Sequence, residues 1–130
     1  MIKNRKPLKI GIIGCGLIGR KRANAISKNE SLLYCSDINL EIGEKFSKDF
    51  NIEFIRNWKN LVRIQEIDLI IIATNHKSLA EITEFCIIND KHVFVEKPGS
   101  RNIKEIKKLI SINEQNNKKI HVFLTLQHGL

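Results

Sequence analysis

The sequence predicts a doubly wound parallel α/β sheet, and three observations lead there. Six short apolar segments alternate with amphipathic ones along 130 residues. The most apolar of them, 68–73 (DLIIIA), is a continuous run, as expected of a parallel strand covered on both faces. A glycine cluster, Gly14, Gly16 and Gly19, falls between a strand-like and a helix-like segment. The length suits one domain, residues 1–130, with its core at about 8–125.

The elements follow in order. Residues 8–13 read as a buried strand ending at the glycines, and 20–28 as a helix with Gly19, Ala23 and Ile26 on one face. Residues 32–36 form a second strand ending at Asp37, and Ile42, Phe46 and Phe50 at i, i+4, i+8 mark an amphipathic helix. Residues 53–55 read as a brief third strand, 58–64 as a short helical connection and 68–73 as the central strand. A helix over 78–89 presents Leu79, Ile82 and Cys86 inward, and 92–96 is the next strand. Pro98 and Gly99 break the chain, Ile103, Ile106 and Ile110 mark a helix over 103–115, and 120–125 is the last strand.

Composition excludes several classes. Leu, Ile, Val and Phe supply 45 of 130 residues, well above the level of disordered chains. No apolar run approaches a membrane span and no signal-peptide pattern opens the chain, so the expectation is a cytoplasmic protein without membrane contact. Cys15, Cys35 and Cys86 are odd in number and scattered, which supports neither a disulfide framework nor a metal site and predicts reduced, mostly buried thiols. The net charge of +8 lies entirely in residues 1–28, which hold eight bases and no acid. No aromatic residue is interleaved with those bases and no DNA-binding motif is present, so no nucleic-acid partner is expected.

Strand, glycine turn and helix in that order give a GxGxxG pattern its meaning. Gly14 permits the tight turn, Gly16 lets backbone amides approach a pyrophosphate, and Gly19 lets the helix pack closely. The loop Gly14, Cys15, Gly16, Leu17, Ile18 and Gly19 is therefore the candidate phosphate cradle, completed by the helix N-terminus. Asp37, 18 residues after Gly19, has the spacing of the acid that binds the adenosine ribose; the bland alternative is a helix cap. No Arg or Lys follows Asp37 until Lys45, which favours NAD over NADP. Arg20, Lys21 and Arg22 read either as cations that help draw in the dinucleotide or as a solvated basic face. Thr74, Asn75 and His76 end the central strand, where open α/β sheets take ligands, and suit the nicotinamide ribose; His76 alone reads equally as an exposed loop residue. Glu96 and Lys97 end the next strand on the same edge, where a partly desolvated lysine could serve as acid or base.

The stretches IGIIGCGLIGRKRANAI, IIATNHKSLAEI and above all KHVFVEKPGS, with Asp37, resemble the N-terminal dinucleotide-binding (Rossmann-type) domain of the glucose-fructose oxidoreductase / inositol dehydrogenase (Gfo/Idh/MocA) oxidoreductases over about residues 8–122. The resemblance implies that the three glycines cradle the pyrophosphate and that Asp37 binds the adenosine ribose. It further implies that Thr74 and His76 line the nicotinamide side, and that Glu96 and Lys97 stand at the reacting centre. Lys97 would be the catalytic proton-transfer residue, with a cis peptide before Pro98, in hydride exchange between NAD and a sugar or polyol-type substrate. The chain departs from the family at Asn75, His76 and Leu79, and has Gln127 where the family has an arginine. It stops where the family's substrate domain would begin. The expectation is thus a truncated NAD-binding domain, not catalytically competent alone, that meets a sugar-like substrate only if a second domain or partner is supplied, with homo-oligomers possible. The alternative is a non-catalytic nucleotide-sensing module that binds NAD(H) and a protein partner.

Overall fold

The computed structural model describes residues 6–74, 79–96, 100–115 and 120–125, without the side chains of 100–102. Strand β1 (Lys9–Ile13) leads into α1 (Leu17–Asn24), β2 (Ser31–Ser36), α2 (Leu40–Phe50) and the short β3 (Glu53–Phe54). The chain then crosses back through α3 (Trp58–Val62) to β4 (Leu69–Ile72), and continues through α4 (Leu79–Ile88), β5 (His92–Val95) and α5 (Ser100–Gln115) to β6 (Val122–Leu124). All neighbouring strands pair in parallel, in the order β3-β2-β1-β4-β5-β6. The order reverses between β1 and β4, the point at which such sheets open a crevice at their carboxyl ends.

Both faces of the central strands are covered, as the unbroken apolar runs predict. Ile10, Ile12, Cys35, Ile71 and Ala73 pack with Ala23 and Phe46 of α1 and α2. Ile13, Ile70, Ile72, Val93 and Val95 pack on the other side with Leu61, Val62, Leu79, Ile82, Cys86 and Ile106 of α3, α4 and α5. Burying one such aliphatic side chain contributes about 1.5–3 kcal/mol, so this double layer is what holds the crevice in shape.

The first expected helix is shifted. The first helix begins at Leu17 rather than 20, because the glycine loop turns directly into it: the Arg20 amide donates to Gly16 O at 2.9 Å. It ends at Asn24 rather than 28, where a turn closed by the Glu30 amide on Ser27 O (2.9 Å) takes over. In α2 the stripe of Ile42, Phe46 and Phe50 is not uniformly buried. Phe46 is fully buried and Phe50 half-buried, but Ile42 is exposed. The helix meets the sheet instead at Gly43, where a Cβ would stand 2.2 Å from the Phe54 ring.

Asparagines close several ends. Asn39 Oδ1 accepts from the Ile42 amide (3.1 Å) to start α2, Asn51 ends it at φ 54°, and Asn57 Oδ1 accepts from Lys59 N (2.9 Å) to start α3. At the opposite edge of the sheet from the crevice, the buried Lys91 ammonium donates to Ile64 O (2.5 Å) and Ile67 O (2.7 Å). All three cysteines are free and buried. Among the described residues no helix is long and apolar enough to cross a membrane, and no group of three or more His, Cys, Asp and Glu is placed to hold a metal.

Candidate functional site

The glycine loop is built from contacts that tolerate no side chain at two of its positions. Gly14 sits at φ +105°, and a Cβ there would lie 2.3 Å from Ala73 O, so the loops after β1 and β4 touch at the reversal point. A Cβ on Gly19 would lie 2.1 Å from Gly14 O, which fixes how closely α1 approaches the loop. Gly16 differs: its Cβ would meet nothing within 4 Å. It occupies the N-cap of α1, a helix with no side-chain cap and no acidic residue in its first turn. The first-turn N–H groups, which an α-helix leaves without intrahelical partners, and the positive end of the helix dipole thus lie beside the open space at Gly16, a geometry suited to a phosphate.

Asp37 is bound into this loop. Its Oδ2 accepts the Cys15 amide at 2.8 Å, and its Oδ1 accepts the Asn39 amide at 2.8 Å. The carboxylate therefore ties the end of β2 to the glycine turn, while its half-exposed position leaves room for a further donor. The cap reading of Asp37 is not met: the cap of α2 is Asn39, and Asp37 supports the turn before it. The Cys15 side chain faces away from the crevice, its Sγ directed to Ser36 O at 3.4 Å. A hydrogen bond with Cys35 and burial push its thiol pKa far up, which keeps the thiol protonated and poorly nucleophilic.

A cleft opens beside Asp37, lined among others by Gly14, Ile38, Arg56, Trp58, Thr74 and Glu81. Gly14, Asp37 and Thr74 are thus brought together, as the motif spacing requires. Ile38, Arg56, Trp58 and Glu81 were not anticipated; Ile38 adjoins Asp37, and the others come from two further segments that only the topology unites. Ile38 is 79% exposed, an apolar surface beside the acid. Leu17, 85% exposed, is a second such side chain, next to Gly16, whereas Ile18 packs into the core beneath α1.

Glu96 is placed differently from a residue open to the crevice. It is 6% exposed, its carboxylate pairs with Arg22, and Thr125 Oγ1 lies 3.5 Å away. The Arg22 guanidinium also covers the Phe94 ring at 4.7 Å. Arg20 pairs with Asp49 at 2.7 Å and stacks near Phe46 and Phe50. Of the two readings of Arg20, Lys21 and Arg22, the solvated basic face holds only for Lys21: Arg20 and Arg22 are each held by an acid within the fold. Asn75, His76, Lys97 and the Lys97–Pro98 bond lie outside the described residues.

A parallel sheet reversing at β1/β4, with a glycine-lined anion cradle and an acid at the end of β2, defines a dinucleotide-binding domain. The family model "Oxidoreductase family, NAD-binding Rossmann fold" (GFO_IDH_MocA) matches residues 8–124, and the chain belongs to this family. L-aspartate dehydrogenase of Methanocaldococcus jannaschii is 31% identical over 97 residues, 72% of this chain and 36% of that protein. Inositol 2-dehydrogenase of Salmonella typhimurium is 25% identical over 123 residues, 87% of this chain and 35% of that protein. Among solved structures, biliverdin reductase from Synechocystis in complex with biliverdin and NADP+ superposes with a TM-score of 0.79 at 28% identity, over 89% of this chain and 37% of that one. The chain thus spans about a third of the length of each of these three proteins.

Proposed function

We propose that the chain binds NAD(H) across the β1/β4 crevice, as the nucleotide-binding part of an oxidoreductase. The observation that carries this reading is the loop itself: Gly14 and Gly19 have no room for a side chain, while Gly16 faces open space at an uncapped helix N-terminus. In the proposed complex the α1 amides and Gly16 hold the pyrophosphate, and Asp37 accepts from the adenosine ribose. Thr74 and the residues after it, Asn75 and His76, lie along the nicotinamide half. A bound nicotinamide would supply hydride transfer, and Lys97 is proposed as the proton-transfer group beside it.

The substrate class stays broad in this reading. The relatives named above are an aspartate and an inositol dehydrogenase, so the family reaches beyond the sugars and polyols that the motif resemblance implies. Orientation of two reactants supplies a large part of an enzyme's acceleration. We therefore expect dinucleotide binding by this chain, and turnover only where the rest of a substrate cleft is supplied. Titrating the chain with NADH and following nicotinamide fluorescence tests the reading. Saturation at one NADH per chain supports it, and a folded chain that gives no saturable change overturns it.

A further inference from the structure

We propose that Arg56 is a specificity-determining residue of the cleft: the cation that receives a 2′-phosphate and lets this chain accept NADP(H) beside NAD(H). The inference rests on the dinucleotide reading above and deepens it. Residue order alone argued for NAD, because no base follows Asp37 closely; the fold supplies one from the adjacent strand.

The placement comes from sheet register. Strand β3 pairs in parallel with β2, Tyr34 opposite Glu53 and Cys35 opposite Phe54, and the Ile55 amide continues the ladder to Cys35 O at 2.7 Å. Extending that register by two residues sets Arg56 level with Asp37, and both line the same cleft. The acids of the cleft are Asp37 and Glu81, yet Arg56 forms an ion pair with neither, and with no other acid among the described residues. Each Asp37 oxygen already accepts a backbone N–H at 2.8 Å. Those bonds spread the negative charge of the acid toward the loop, which lowers its repulsion of a nearby phosphate.

An exposed, unpaired guanidinium beside the ribose acid has a geometry that suits one ligand group particularly well. A phosphate monoester carries nearly two negative charges near neutral pH and presents several acceptor oxygens, and the planar fork of arginine meets it with two parallel N–H bonds. The 2′-hydroxyl of NAD offers no such partner. Arg56 should therefore act on the ratio of the two affinities and much less on NAD alone.

The experiment is calorimetric titration of the 130-residue chain with NADPH and with NADH, for wild type, Arg56→Gln and Arg56→Lys, each checked for folding by thermal melting. Wild type is expected to bind both. Arg56→Gln should weaken NADPH by about tenfold or more and NADH by less than about threefold, while Arg56→Lys keeps most of the NADPH affinity. Equal weakening of both nucleotides by Arg56→Gln, shared by Arg56→Lys, would mean that the guanidinium stacks on the adenine, and would overturn the proposal. Wild type that binds NADH with no measurable NADPH binding also overturns it. Wild type that is folded and binds neither removes the dinucleotide reading itself, a separate failure.

Discussion

Gly16→Ala and Gly19→Ala separate binding from folding within one loop. Gly16 lies at φ −79° and ψ −159°, extended backbone that alanine adopts, and its Cβ would touch nothing within 4 Å. Losing a glycine N-cap for alanine costs a few tenths of a kcal/mol to about 1 kcal/mol, or roughly 1–5 °C in Tm for a domain of this size. The added methyl would, however, stand where the pyrophosphate must approach the α1 amides. Displacing the phosphate forfeits one charge-assisted hydrogen bond, about 1.5–3 kcal/mol, and part of a dipole interaction of up to about 2 kcal/mol. NADH affinity should then fall about a hundredfold while Tm drops by no more than those few degrees. In Gly19→Ala the Cβ would be 2.1 Å from Gly14 O, so α1 must shift, and stability and affinity should fall together. Calorimetry with NADH, set beside thermal melts of the same samples, reads both effects. A Gly16→Ala chain that binds NADH as wild type does would refute the assignment of the open space to the phosphate.

Further expectations concern the acid and the sheet edge. Asp37→Ala removes the acceptor of the Cys15 and Asn39 amides, and should lower stability by about 1–3 kcal/mol, reduce NADH affinity and narrow its margin over NADPH; unchanged affinities for both would take Asp37 out of the ribose site. Lys91→Met leaves the Ile64 and Ile67 carbonyls without their ammonium donor and should cost about 2–4 kcal/mol, read as a lower urea midpoint at unchanged m; a midpoint equal to wild type would show that those carbonyls find other donors. The pKa of His92 is lowered, first by burial and then by neighbouring His121, and its Nδ1 accepts the His121 amide at 3.0 Å. The unfolded chain therefore takes up this proton more readily than the native one, so stability is full above the ordinary histidine pKa and is lost as pH falls below it, until the native group also titrates. His92→Asn, which keeps an acceptor without the titration, should flatten the Tm profile between about pH 7 and pH 5; parallel profiles for the two chains would assign the slope to other groups.

Much of the fold was legible because β4 is apolar throughout and β1 and β5 carry no charged residue after their first position, a pattern that few arrangements other than a two-sided parallel sheet satisfy. The glycine motif was legible because its spacing encodes backbone geometry: Gly14 at positive φ and Gly19 against Gly14 O are where only glycine fits. What local pattern could not supply was the pairing of distant residues. Arg22 and Glu96 are 74 positions apart and meet because α1 crosses toward the end of β5. Arg20 likewise finds Asp49 across the α1–α2 contact. Read along the chain, these arginines form one basic run at the start of a helix; in the fold each answers a different acid. Arg56 escaped notice for the same reason. It lies 19 residues beyond Asp37 in sequence, but β2–β3 register sets the two side by side. Ile42 misled because an i, i+4, i+8 stripe drifts around a helix of 3.6 residues per turn, and the close approach occurs at Gly43.

A dinucleotide is expected to lie across the carboxyl ends of β1, β2 and β4, and amide chemical-shift mapping of the isotope-labelled chain with NADH tests that placement site by site. The largest shifts should fall on residues 14–19, on Asp37 and Ile38, and on Thr74, with saturation at one NADH per chain. Shifts scattered over the basic residues before position 10 and abolished by moderate salt, with the glycine loop unmoved, would contradict it.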